Sequence, residues 1–135
     1  MILLDSSALL AALRREPGGE RVAAALSSGR SALTTANLAE VLSVLATRAG
    51  MPISETLRTV DQLPIEIVSV SREIAIQSAE LHARWPRSGL SLGDRICLAA
   101  GIVQGWPILT ADAAWLRLET DAKVELIRSA AGLDE

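Results

Sequence analysis

Four acidic residues lie beside apolar segments of the chain, where isolated acids are uncommon. They are Asp5, Glu40, Asp94 and Asp112. A carboxylate in apolar surroundings is costly unless it is paired, hydrogen-bonded or bound to a metal. Because these residues are far apart in the sequence, only folding could bring them together. Carboxylates that meet repel one another, and a cation relieves that repulsion. The pattern therefore predicts an acidic site for a hard divalent cation.

The residue types at this predicted site indicate which cation and which chemistry to expect. Ligands that are all oxygen select Mg²⁺ or Mn²⁺ over zinc. Such ions activate water and stabilise in-line displacement at phosphorus. Ser6, Asn37 and Thr110 lie beside the acids in the sequence and are candidates to orient water or a phosphate. With one histidine, His82, and one cysteine, Cys97, a zinc site is not expected. The residues thus predict metal-dependent hydrolysis of a phosphodiester.

Each of the four acids also has an ordinary structural interpretation. Ser91-x-x-Asp94 has the pattern of a helix capping box. Asp5 and Asp112 each precede a predicted helix and are candidate caps, while Glu40 has the position of a solvated glutamate. A capping role and a catalytic role are compatible, so the sequence leaves both open.

Composition limits the classes of function. The chain has 135 residues, half of them hydrophobic, a mean hydropathy of +0.32 and a net charge of −3. We expect one domain over residues 1–135. Lys123 is the only lysine, so binding of nucleic acid by charge neutralisation alone is not expected. The single cysteine is typical of a reducing compartment, and we expect a cytoplasmic protein without a membrane span.

Short apolar strands alternate with helices along the chain. Strands are predicted at residues 2–4, 32–34, 65–70, 108–109 and 124–127. Helices are predicted at residues 6–15, 20–27, 35–49, 54–63, 72–85, 92–104 and 113–118, followed by a loose tail. This alternation is typical of an α/β domain with a mainly parallel sheet.

The predicted elements would place the acids at one edge of that sheet. Sites in open α/β sheets form beyond the carboxyl ends of strands, where the strand order switches. Asp5 ends the first predicted strand and Asp112 follows the fourth. Glu40 and Asp94 lie near the starts of helices expected to begin at the same edge.

At these residues the chain resembles the PIN-domain family, and more narrowly the VapC-type toxins of bacterial toxin–antitoxin pairs. Four sequence segments carry the resemblance, in the family's order: residues 2–8, 35–41, 90–95 and 109–112. The resemblance covers nearly the whole chain.

The resemblance implies a five-stranded parallel sheet flanked by helices and an endoribonuclease of a type II toxin–antitoxin system. Asp5, Glu40, Asp94 and Asp112 would be the catalytic and metal-binding residues for Mg²⁺ or Mn²⁺. Thr110 would support them, with Ser6 and Asn37 as further supporting residues. RNA would be the substrate, and the expected partners are a second copy of the chain and a small VapB-like antitoxin.

The predicted helices at residues 6–15, 20–27 and 54–63 are rich in leucine, alanine and valine. Apolar surface left between them would form a groove for the amphipathic helix of a partner. An arginine of that partner would suit the paired carboxylates.

Two other classes of function remain open. Aspartyl phosphotransfer occurs on a similar sheet, but a phosphatase of the haloacid-dehalogenase type would need an acid at Ser7. A receiver domain would need an acid at Ser6 and another at Ser69. The non-enzymatic alternative is a PIN-like module that binds a basic peptide with its acids.

Overall fold

The computed structural model describes residues 1–128, so the predicted tail lies almost entirely outside the described residues. Its five strands are β1 (Ile2–Leu4), β2 (Ser31–Thr34), β3 (Ile65–Val68), β4 (Ile108–Thr110) and β5 (Val124–Leu126). Its six α-helices are α1 (Ser6–Leu13), α2 (Gly19–Ser27), α3 (Thr35–Arg48), α4 (Ile53–Asp61), α5 (Arg72–Arg84) and α6 (Leu92–Gln104). A 3₁₀ helix spans Ala113–Arg117 between β4 and β5.

The five strands form one sheet in the order β3-β2-β1-β4-β5, and every neighbouring pair is parallel. The predicted α/β class with a five-stranded parallel sheet is confirmed. The chain moves outward from β1 to β2 and β3, and then returns to the other side of β1 for β4. The strand order therefore switches between β1 and β4, whose carboxyl ends are neighbours through the pairing of Leu4 with Leu109.

Helices cover both faces of the sheet. Successive residues of a strand point to opposite faces, so each strand contributes side chains to both cores. Leu3 packs in a cluster with Ile74 of α5, Leu98 of α6 and the buried Trp115. Leu4 packs on the other face in a cluster that includes residues of α1, α2 and α3. These two clusters hold the carboxyl ends of the central strands in place.

Most differences from the predicted elements lie at their ends. The first helix ends at Leu13 rather than residue 15, and Arg15 adopts a positive φ of 54° before the turn at Pro17. Strand β3 ends at Val68 rather than residue 70. There the Val70 amide donates to the hydroxyl of Thr35, so the chain leaves the sheet ladder. The last predicted helix is the 3₁₀ helix.

Over the described residues, none of the helices combines the length and the apolar character that crossing a membrane requires.

Candidate active site

The structure brings the four acids of interest to one edge of the sheet. Asp5 follows β1, and Asp112 lies two residues beyond β4. Glu40 projects from α3 and Asp94 from the first turn of α6. They are close enough to interact electrostatically. The charge of Asp94 raises the pKa of Asp5, and the charges of Glu40 and Asp112 raise the pKa of Asp94. Asp5 is buried, Glu40 and Asp94 are half-buried, and Asp112 is exposed.

Asp5 is held by three hydrogen-bond donors at the base of the site. The Thr110 hydroxyl donates to its Oδ2 at 2.6 Å, and the Ser7 hydroxyl donates to its Oδ1 at 2.7 Å. The backbone N–H of Ala8 donates to Oδ1 at 2.8 Å, so Asp5 is also the N-cap of α1. These bonds leave the carboxylate little rotational freedom.

Burial raises the pKa of Asp5 from 3.8 to about 6. The hydrogen bonds from Thr110, Ala8 and Ser7 favour the ionised form and oppose this shift, while the charge of Asp94 adds to it. An ordinary cap at a helix N-terminus would have a low pKa. The raised pKa of Asp5 therefore marks a carboxylate that a nearby cation would stabilise.

The hydroxyls of Thr110 and Ser7 join Asp5 to the segment after β4. Thr110 accepts a hydrogen bond from the Asp112 backbone N–H at 3.1 Å, and Ser7 accepts one from Ala111 at 3.0 Å. Thr110 was expected at the site from the sequence, whereas Ser7 was not. The sequence signal that indicates Ser7 is its position two residues after Asp5, an acid that ends a strand.

Glu40 is oriented by a second group of hydrogen bonds. The Ser6 hydroxyl and the Asn37 side-chain amide both donate to its Oε1, the latter at 2.9 Å. Asn37 is fully buried, and its own Oδ1 accepts from the hydroxyl of Thr34 at 2.7 Å. The structure thus places Ser6 and Asn37 against Glu40, and adds Thr34, which the sequence did not single out.

Gly93 packs directly against the carboxylate of Glu40. A Cβ built at Gly93 would lie 2.5 Å from the carboxylate atoms of Glu40. Glycine is also unfavourable within a helix. A glycine in the first turn of α6 was therefore the sequence signal for this close approach, but it was not recognised as part of the site.

Asp94 and Asp112 do form the helix caps that the sequence allowed. Asp94 and Ser91 make a reciprocal capping box at the start of α6, with Asp94 Oδ2 accepting from the Ser91 amide at 3.0 Å. Asp112 Oδ1 accepts from the Ala114 amide at 2.9 Å. The pKa of Asp94 is raised, first by burial and then by the charges of Glu40 and Asp112, against the lowering effect of its bonds with Ser91. Capping thus coexists with electrostatic contact among the acids.

The donor set fits a hard divalent cation, although the side chains are not arranged around one. Within residues 1–128 no three acidic, histidine or cysteine side chains form a group with metal-binding geometry. Each carboxylate is instead turned toward its own hydrogen-bond donor. The four acids supply only oxygen ligands, as Mg²⁺ and Mn²⁺ prefer, and their mutual repulsion favours a cation. Asp5 and Asp94 would hold it, with Glu40 and Asp112 alongside.

The contact between Gly93 and Glu40 gives a prediction for Gly93→Ala. The added methyl group displaces the end of a flexible side chain, and alanine is a better helix former than glycine. We expect the melting temperature to change little, while the phosphodiester hydrolysis predicted from the sequence falls by roughly 10- to 100-fold, the usual effect of losing a supporting contact at a metal site. Thermal unfolding and initial cleavage rates measure the two effects.

Gly101→Ala in the same helix is the matched control. Its added Cβ would meet the side chain of the buried core residue Ile108 instead of the site. Overpacking of this kind costs roughly 1–3 kcal/mol of stability. We expect Gly101→Ala to lower the melting temperature and to keep the cleavage rate of the folded protein. Unchanged cleavage by Gly93→Ala would show that the position of the Glu40 carboxylate is unimportant.

Comparison with known proteins agrees with this architecture. The model of the PIN domain matches residues 2–120. The match spans most of the sequence, and the chain belongs to the PIN-domain family. A search of curated proteins finds no match.

Solved structures that this chain resembles include VapC toxins and VapBC toxin–antitoxin complexes, as the sequence resemblance predicted. The DNA-bound VapBC of Salmonella typhimurium is 15% identical with a TM-score of 0.75, over 93% of this chain and 97% of that chain. The sarcin-ricin loop cleaving toxin VapC20 of Mycobacterium tuberculosis is 18% identical with a TM-score of 0.73, over 91% and 99%. VapBC-5 of the same organism is 28% identical with a TM-score of 0.62, over 94% and 97%.

Proposed function

We propose that this PIN-domain protein is a Mg²⁺- or Mn²⁺-dependent endoribonuclease and the toxin of a type II toxin–antitoxin system. The observation that supports this most strongly is the buried Asp5, with a pKa raised to about 6, beside three further acids where the strand order switches. Burying a charge of this kind is unfavourable without a compensating cation. RNA as the substrate is taken from the likeness to VapC20, which is described as cleaving the sarcin-ricin loop.

The proposed mechanism assigns distinct roles to the bound ion, to Asp5 and to Glu40. The bound ion would supply an activated water and stabilise charge at phosphorus. Asp5 anchors the site because Thr110 and Ser7 hold its carboxylate. Ser6 and Asn37 both donate to Oε1 of Glu40, so its Oε2 would accept the proton of the attacking water while the bond from phosphorus to the leaving oxygen breaks.

Two alternative functions are distinguished by direct assays. For aspartyl phosphotransfer, Ser6, Ser7 and Ser69 stand where the additional acids would be needed. A non-catalytic peptide-binding module would neither cleave RNA nor become phosphorylated. We expect the purified chain to cleave single-stranded RNA in the presence of Mg²⁺ and to remain unlabelled by acetyl phosphate. Labelling on Asp5 without RNA cleavage would favour the phosphotransfer alternative.

We also propose a small antitoxin as a partner, on the evidence of exposed apolar residues on α4. Ile53 and Leu57 are 56% and 38% exposed, and they lie one helical turn apart on the same face. A solved structure with the same fold is a toxin–antitoxin complex from Klebsiella pneumoniae, and VapBC-5 belongs to a family of toxin–antitoxin systems. An amphipathic partner helix would cover this face, and a partner arginine would reach the acids and compete with the metal. Cytoplasmic location and homodimerisation remain predictions from the sequence and the family.

Expression of the chain with and without its neighbouring small reading frame tests this partner. We expect growth arrest from the chain alone and relief by the pair. Ile53→Glu combined with Leu57→Glu should keep RNA cleavage but lose the partner, so that the pair remains toxic. The matched control is Ser54→Glu with Arg58→Gln, which changes exposed polar residues of the same helix and gives the same change in net charge. No arrest from a folded, metal-competent protein and no co-purifying partner would contradict the proposal.

A further inference from the structure

A cavity of about 350 Å³ next to the acidic site is lined by three arginines. Arg84 and Arg87 lie on one wall, and Arg117 lies on the other, at the end of the 3₁₀ helix. Its remaining lining is neutral and includes Trp85 and Leu118, so the cavity has no acidic residue. In a chain whose net charge is −3, this is a concentration of positive charge. We call it the arginine pocket.

The three arginines are available to a ligand. All three are exposed, and within residues 1–128 the ion pairs are Arg14 with Glu16 and Arg21 with Glu125. The described side-chain hydrogen bonds do not include the guanidinium groups of the pocket either. The Arg84 guanidinium lies 4.5 Å from the centroid of the Trp85 ring, a cation–π contact that holds it in place.

Both walls of the arginine pocket lie close along the chain to residues of the acidic site. Ala114 lines the pocket, and its backbone amide donates to the carboxylate of Asp112 at 2.9 Å. On the other wall, Ser88 is three residues before Ser91, whose amide donates to Asp94. Three residues of chain span at most about 11 Å. A strand of nucleic acid with one phosphate among the acids would therefore have its neighbouring nucleotide within reach of the pocket.

The chemistry of the pocket matches a nucleotide better than an acidic peptide. Guanidinium groups bind phosphate oxygens in a bidentate manner, and their planes stack on bases. Trp85 and Leu118 add apolar surface. Unstacked bases of single-stranded RNA pack against such surface, whereas carboxylate side chains do not. A volume of this size is within the range of small-ligand pockets.

We propose that the arginine pocket binds a nucleotide of the RNA substrate adjacent to the one cleaved. Arg84, Arg87 and Arg117 contact the flanking phosphates, and the base lies against the apolar part of the pocket. This inference rests on RNA being the substrate, as proposed above. It also explains how an acidic protein with one lysine holds a polyanion beside four carboxylates.

The test compares two triple variants with the same change in charge. In the first, Arg84, Arg87 and Arg117 are each replaced by Gln. In the second, the exposed Arg48, Arg58 and Arg72 are replaced by Gln, which leaves the pocket intact. Binding of a labelled single-stranded oligoribonucleotide is measured by fluorescence anisotropy in EDTA over a range of salt concentrations, and cleavage is measured in Mg²⁺.

We expect the pocket variant to bind RNA at least roughly tenfold more weakly than wild type. The slope of log affinity against log salt should fall by about 2, since each lost phosphate contact on a single strand contributes about 0.7. Its KM should rise while kcat changes little. The second variant should remain close to wild type in all these properties.

Three results would overturn the inference. Equal weakening in the two variants would show a general charge effect. Unchanged binding by the pocket variant would show that RNA lies elsewhere. The third result is that wild type binds an oligoglutamate of the same length as tightly as RNA. If the pocket variant lost that binding too, the pocket would be assigned to an acidic protein segment. Selective loss of RNA binding, in a protein that cleaves no RNA with any metal, would instead support the pocket and contradict the proposed nuclease.

Discussion

Replacing Asp94 by Asn is expected to abolish RNA cleavage while the fold is retained. The side-chain oxygen of the introduced asparagine can still accept the hydrogen bond from the Ser91 amide, so the start of α6 remains capped. The charge that would hold the cation is lost. We expect a decrease in activity larger than the roughly 10- to 100-fold that follows loss of an outer-shell contact. The melting temperature without metal should stay level or rise, because Glu40 and Asp112 lose a repulsive neighbour.

Ser91→Ala is the matched control because it removes the capping hydroxyl and leaves the carboxylate of Asp94. The backbone N–H of Ser91 still donates to Asp94, so the orientation of the acid is kept. Loss of an N-cap side chain costs about 1 kcal/mol of stability. Ser91→Ala should therefore be less stable and still active. If Asp94→Asn cleaves RNA at the wild-type rate, Asp94 is a helix cap only.

The second large effect is the pH dependence of stability that Asp5 produces. The pKa of Asp5 is about 6 in the folded chain, whereas the ordinary pKa of an aspartate is 3.8. Between these values the folded state keeps a proton that the unfolded state has lost, so the free energy of unfolding falls as pH rises through this window. The loss is complete about one pH unit above the folded pKa, near pH 7, and the shift corresponds to about 3 kcal/mol.

Asp5→Asn removes this titration while its side-chain oxygen can still cap α1. We expect the stability of the variant relative to wild type to rise by about 3 kcal/mol between about pH 3 and pH 7, the window set by the raised pKa. Urea unfolding of both proteins at each pH measures this difference and cancels the contributions of other groups.

Asp61→Asn at the exposed end of α4 is the control variant for this series. Adding Mg²⁺ at pH 7 should stabilise wild type more than Asp5→Asn, because the variant lacks one of the carboxylates that would hold the ion. A difference between Asp5→Asn and wild type that does not vary with pH would show that Asp5 ionises without a penalty from burial.

The location of the acids could be predicted from the sequence because it depends on simple rules. Asp5 and Asp112 follow short apolar strands, and parallel strands present their carboxyl ends at one edge. The partners of the acids could not be predicted in this way. The adjacent serines donate to different acids, Ser6 to Glu40 and Ser7 to Asp5. Which acid each serine reaches depends on side-chain rotamers. The close approach of Gly93 depends on how α6 packs on α3.

The arginine pocket was beyond prediction for a different reason. Arg84 and Arg87 are close in sequence, but Arg117 is thirty residues further on. They meet only because the loop after α5 packs beside the 3₁₀ helix.

For Asp94 the sequence allowed either a cap or a site residue, and the structure shows the cap together with the nearby charges. Its role in metal binding remains a prediction.

The metal dependence of RNA cleavage shows whether the four acids form a catalytic metal site. Purified protein is stripped of metal, its residual content is measured, and cleavage of single-stranded RNA is followed as Mg²⁺ or Mn²⁺ is added. We predict no cleavage in EDTA, saturable recovery with either ion, and no recovery with Asp94→Asn at any concentration. Oxygen ligands of this kind favour both ions. Full activity of the rigorously metal-free wild-type protein would contradict metal-dependent catalysis by these acids.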